Sequence, residues 1–96
     1  MDCADQLERY REEINRLDEH ITDALGKRLR ICMEVGHLKK AHGIAMMQPA
    51  RVEAVKARCA QMGAAHGLRP EFMTELYDRI IAEACLLETR IIEDEA

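Results

Sequence analysis

An arginine occupies a position where the surrounding pattern calls for a hydrophobe. Counting by sevens from Leu7 gives Ile14, Ile21, Arg28 and Val35, which puts Arg28 in the apolar seam of a helix, where a charge is costly unless it has a task or an exit. Its guanidinium is a planar fork of donors suited to gripping an anion. The same side chain can also snorkel to solvent or pair with a carboxylate across a dimer, and the spacing leaves both readings open. Lys39 follows eleven residues later, a net rotation of about 20° and an advance of about 16 Å, so two cations share a face and can lean toward one ligand. Arg11 precedes Arg28 by seventeen residues, about 25 Å and roughly 100° around the helix. That is too far for the same small site within one chain; if Arg11 serves a site, it completes the one on a second copy.

Two residues extend the set. Arg51 stands in the first turn after Pro49, where the helix dipole disfavours a cation, so it is either a surface charge or aimed at an anion. The stripe Tyr77, Ile81, Ala84, Glu88, Ile91 carries one carboxyl among apolar neighbours. Such a group is costly unless it is protonated, paired or able to reach water near the helix end. Several cations and one unusual carboxyl, without a Ser/His/Asp set, a glycine-rich phosphate loop or a metal-ligand spacing, suit a small polyanion. Its reaction would need electrostatic help and a fixed shape rather than a nucleophile.

The elements that must position these residues are helices. From Asp5 to about His42, Leu7, Tyr10, Ile14, Leu17, Ile21, Leu25, Ile31, Val35 and Leu38 recur at three- and four-residue steps with charges between them, the signature of one amphipathic helix. Gly43 to Pro49 breaks it. Pro49 opens a second helix running to about His66, stopped by Gly67, and Pro70 opens a third running to about Glu93. A 38-residue first helix would be about 57 Å long, against a radius of gyration of about 12 Å for a compact chain of this length. The chain therefore cannot cover its own seam, and a symmetric homodimer is expected.

Composition agrees. Ninety-six residues, 48% hydrophobic and 33% charged, describe one folded domain spanning 1–96, and three aromatic residues leave the core to aliphatic side chains on helices, hence all-α. The net charge of -4 argues against a nucleic-acid partner. No run of about 18 apolar residues and no leader pattern is readable, so no membrane partner and a cytoplasmic location are expected. The four cysteines, Cys3, Cys32, Cys59 and Cys85, are widely spaced without a C-x-x-C and read as reduced structural thiols. The four histidines offer no metal spacing with them, so no metal is expected.

The ordered set Arg11, Asp18, Arg28, Glu34-Val35-Gly36, Lys39, Arg51 and Ile80-Ile81 resembles the all-helical chorismate mutases, from Leu7 to Ile92. The resemblance implies an intertwined homodimer of three-helix chains, with two sites that each borrow one arginine. Arg28 and Arg11 from the other chain would hold the two carboxylates of a small dicarboxylate substrate. Lys39 would contact a carboxylate and the ether oxygen whose bond breaks, and Arg51 would lie close by. The reaction implied is a [3,3] rearrangement with no cofactor and no covalent intermediate.

Four matched positions differ from the usual pattern of that family. Gln48 stands for Asp, Val52 for the Glu that accepts the substrate's 4-hydroxyl, Ala84 for Ser, and Glu88 for a Gln that donates to the ether oxygen. The segment His42 to Val52, with Leu76-Tyr77-Asp78 and Glu83 to Glu88, is similar instead to the 4-amino-4-deoxychorismate mutases of antibiotic pathways. Their product, 4-amino-4-deoxyprephenate, leads to 4-aminophenylalanine. An ionised Glu88 cannot donate a proton, so either it is protonated and assists the ether oxygen of chorismate, or it is ionised and pairs with an ammonium at C4. If selectivity lies elsewhere, the loop of Met46, Met47 and Val52 is the next place. The readings that compete are a plain chorismate mutase, an isochorismate-pyruvate lyase, and a non-catalytic helical dimerisation module.

Overall fold

The computed structural model describes residues 2–46 and 48–94 as three helices and their connections, with no strand among them. They are α1, Cys3–His42; α2, Pro49–Ala64; and α3, Pro70–Asp94. The all-α class expected from patterning is the class that forms, and each boundary has a local cause.

Helix α1 begins two residues before the periodicity suggests because the Asp2 carboxylate accepts the Asp5 backbone N–H at 2.8 Å, satisfying one of the donors a helix start leaves open. It ends at Gly43, whose φ of 63° lies in the left-handed region. The Ile44 N–H donates to the Lys39 carbonyl at 2.9 Å and the Gly43 N–H to that of Lys40 at 3.4 Å. This paired closure is a Schellman cap. Lys39, Lys40 and His42 sit in the last turn, where the helix dipole favours cations.

Helix α2 starts on Pro49, with Gln48 as its cap residue, and ends at Ala64, two residues short of the expected His66. The chain tightens there: both His66 and Leu68 donate their N–H to the Gly63 carbonyl at 2.9 Å, and Gly67 turns the chain with φ 75°. Pro70 then opens α3, with the Arg69 carbonyl accepting the Met73 N–H at 3.1 Å.

The chain divides into two compact units, Met1–Ile31 and Cys32–Ala96. The first is the N-terminal three quarters of α1. Along it Leu7, Tyr10, Ile14, Leu17 and Ile21 are each at least 45% exposed, a continuous apolar stripe that its own unit does not cover. No helix among the described residues is long and apolar enough to cross a membrane.

The second unit contains the end of α1 with α2 and α3. Helices α2 and α3 pack together, and Cys59, Met73 and Ala84 are buried. Among the described residues none of the four cysteines forms a disulfide; Cys59 is buried, Cys32 and Cys85 half-buried and Cys3 exposed. Lys56 on α2 reaches Asp78 on α3 at 2.8 Å, and that hydrogen bond holds its ammonium pKa above the usual lysine value.

The α2–α3 approach turns on Gly63. A Cβ there would lie 2.5 Å from Met73 Cγ and 3.0 Å from its Sδ, so the whole Met73 side chain would have to move. Overpacking of this kind costs about 1–3 kcal/mol, against about 1 kcal/mol gained when alanine replaces a mid-helix glycine. Gly63→Ala is therefore expected to lower the thermal midpoint by about 5 °C, read by circular dichroism. An unchanged or raised midpoint would mean that Met73 repacks freely.

Candidate active site

Lys39 and Glu88 are 49 residues apart in sequence, yet the Lys39 ammonium donates to Glu88 Oε1 at 3.1 Å. Their side chains are only 15% and 8% exposed. Glu88 is the carboxyl that breaks the apolar stripe of α3, and of the conditions that make such a group tolerable, pairing is the one the fold supplies. In this ion pair it acts as an acceptor.

Helix geometry explains why these two meet. Gly36, one turn before Lys39, is buried against α3; a Cβ on it would lie 3.2 Å from Glu88 Cγ and 3.3 Å from Glu88 Cα. One turn beyond, the Lys40 ammonium donates to the Ile91 carbonyl at 3.3 Å. The contacts 36 to 88 and 40 to 91 advance together, so the end of α1 and the end of α3 run in the same direction past each other. Lys39 falls between those two points.

A third group was not foreseen from the residues. The Met46 carbonyl accepts from the Lys39 ammonium at 2.9 Å. It reaches that position because the Gly43 cap reverses the chain just after α1. A backbone acceptor carries no residue-type signal; only the glycine stop, which implies a sharp return, hinted at it. Of the three N–H groups on the ammonium, two are thus engaged by Met46 and Glu88 among the described residues.

The remaining candidates of this unit lie on α3 and at the start of α2. Ala84, one turn before Glu88, is buried at 5% exposure. Gln48 is exposed; it caps α2 through its carbonyl, which accepts from Arg51 and Val52 N–H at 3.0 and 3.2 Å, while its side chain makes no capping bond. In that first turn Val52 is half-buried and Arg51 exposed. Met47 lies outside the described residues. Between Ala84 and Glu88, burial first and the Glu88 charge second push the Cys85 thiol up from its usual range, which keeps it a protonated thiol and a poor nucleophile at neutral pH.

The other two cations belong to the N-terminal unit. Arg28 is half-buried there. Arg11 is exposed and lies 3.8 Å from Glu8 one turn away, a surface pair of little energetic consequence that leaves the guanidinium at the surface.

The chain matches the family model described as chorismate mutase type II over residues 10–89, a span that includes every candidate residue. It is 42% identical over 86 residues to a 4-amino-4-deoxychorismate mutase of Streptomyces pristinaespiralis, covering 90% of this chain and 67% of the relative. It is 38% identical over 91 residues to a 4-amino-4-deoxychorismate mutase of Streptomyces venezuelae, covering 95% and 88%. A more distant match, 28% identical over 79 residues, is to the T-protein of Enterobacter agglomerans, of which it covers 21%. With the family model matched across most of its length and an all-helical fold that places a lysine and a carboxylate together between its first and last helices, the chain belongs to the type II chorismate mutase family and is an isomerase.

Proposed function

We propose that this chain converts 4-amino-4-deoxychorismate to 4-amino-4-deoxyprephenate, in the cytoplasm and as a homodimer whose protomers are each one catalytic domain. The observation that carries the substrate is the Lys39–Glu88 ion pair, supported by two Streptomyces relatives that bear this activity in their names. The reaction breaks the ether C–O bond and forms a C–C bond in one step, with partial negative charge growing on the ether oxygen. Catalysis then consists of holding the folded conformer and stabilising that charge.

The remaining Lys39 N–H is the donor for the ether oxygen. Arg28 and the partner's Arg11 hold the two carboxylates, with Arg51 close by. Glu88 cannot help as a donor while it pairs with Lys39, but a carboxylate has acceptor capacity on both oxygens. Oε1 takes Lys39, and Oε2 is the oxygen offered to an ammonium at C4. Val52 presents an apolar surface where a 4-hydroxyl would need an acceptor, which favours the amino compound further. Gln48 and Ala84 line the remaining walls.

The dimer accounts for the uncovered stripe of the first unit. Five large apolar side chains exposed on one helix are too extensive a patch for a free surface. A second copy of α1 has the matching stripe, and its Arg11 lies on that same stretch of helix.

Turnover compared on 4-amino-4-deoxychorismate, chorismate and isochorismate is expected to favour the first by at least about tenfold in kcat/KM, some 1.4 kcal/mol of transition-state binding. Glu88→Gln should weaken the amino reaction and improve the relative rate on chorismate; a variant that kept its full preference would move selectivity to Met46 and to Val52 in the first turn of α2. Lys39→Ala should cost roughly 10²–10³ in kcat and also destabilise the protein, since it leaves Glu88 buried and unpaired, a loss of about 3–5 kcal/mol for such pairs. Adding Glu88→Gln to Lys39→Ala should restore much of the thermal midpoint but none of the rate, separating the two roles. Finally, mixing inactive Arg11→Ala with inactive Arg28→Ala protein should generate heterodimers with one intact site and regain up to about a quarter of wild-type activity, as random pairing of two subunit types dictates. No recovery after confirmed subunit exchange would refute a shared site.

A further inference from the structure

The geometry points to Gly36 as a positioning residue for the reaction, acting through Glu88; this rests on the reading that Lys39 and Glu88 face the substrate. A glycine inside a helix is unfavourable relative to alanine, so its place in α1 asks for a reason. At Gly26 no tertiary reason is visible, since an added Cβ would meet only the tip of Arg30 at 3.5 Å. Gly36 differs. It is buried, and its missing Cβ would press on Glu88 Cγ at 3.2 Å, Cα at 3.3 Å and Cβ at 3.4 Å. These atoms are the backbone and stem of Glu88, not a flexible tip that swings aside.

Glu88 is therefore held at two points. Its stem rests on the bare backbone of α1 at Gly36, and its Oε1 receives the Lys39 ammonium at 3.1 Å one turn further on. Three rotatable bonds separate the Glu88 backbone from its carboxylate, and pinning both ends removes most of their freedom before substrate arrives. A methyl group at residue 36 would force the Glu88 stem back by a few tenths of an ångström. It would shift the carboxylate, and with it the ammonium, relative to a bound substrate. Misplacement of about 1 Å costs on the order of 10² in rate, so a shift of this smaller size is expected to lower kcat roughly tenfold.

Gly36→Ala should fold, since the gain in helix propensity acts against the tighter contact, and should lose roughly tenfold in kcat with KM changed by less than about twofold. A double-mutant cycle with Glu88→Ala distinguishes positioning from packing. If Gly36 acts through the Glu88 carboxylate, Gly36→Ala adds nothing once that carboxylate is gone, although the contacts with Cα and Cβ of residue 88 persist. Wild-type kcat in Gly36→Ala, an undiminished tenfold loss in the Glu88→Ala background, or a Gly36→Ala chain that does not fold would each overturn the assignment. Wild-type turnover in Lys39→Ala would instead overturn the proposed site itself, whatever Gly36→Ala does.

Discussion

Taking an ammonium and a carboxylate out of water costs several kcal/mol for each ion, and their mutual attraction offsets this only when geometry is good and the leftover donors find acceptors. At the end of α1 that condition is met by Lys39 and Glu88, with the Met46 carbonyl as the additional acceptor. Much of the local structure can be understood as what this pair requires. The helix must stop within one turn of Lys39 so that a carbonyl can come back to it, and Gly43 provides the left-handed turn. The last helix must approach α1 closely enough for a glutamate to reach across, and Gly36 provides the space.

Support for α3 comes from its other side. Gly63 lets α2 settle against Met73, and Lys56 ties α2 to Asp78. These contacts fix α3 along its first half, while Gly36 and Lys40 engage its second half. A lysine on a helix end would otherwise keep much of its rotamer freedom, which is worth up to about 2 kcal/mol for so long a side chain. Holding its tip between a carbonyl and a carboxylate removes that freedom ahead of the reaction.

The same arrangement bears on substrate choice. Where a neutral amide can donate, a carboxylate can only accept, and in the proposed function its negative charge would offer a substrate ammonium a partner in a poorly hydrated place. Val52, half-buried in the first turn of α2, offers no side-chain acceptor. Under the proposed function, exchanging a donor for an acceptor on α3 and an acid for an aliphatic on α2 would convert recognition of a hydroxyl into recognition of an amine without altering the fold, because glutamine and glutamate share the Cα, Cβ and Cγ that rest against Gly36.

Three helices, their order and their stops were legible in the sequence, because period, proline and glycine act within a few residues of chain. The heptad count exposed Arg28 as out of place, and the apolar stripe exposed Glu88, since a charge among hydrophobes is conspicuous in one dimension. The earlier start of α1 and the shortened end of α2 were not, because they depend on individual bonds from Asp2 and to the Gly63 carbonyl. The pairing of Lys39 with Glu88 was beyond reach for a deeper reason. Periodicity specifies which face of a helix a residue occupies, but the register between two helices is set by where their surfaces can approach, and that was decided by Gly36 against Glu88 in the folded chain. The Met46 carbonyl belongs to the same class: every residue carries one, and only the turn at Gly43 determines which of them reaches the lysine.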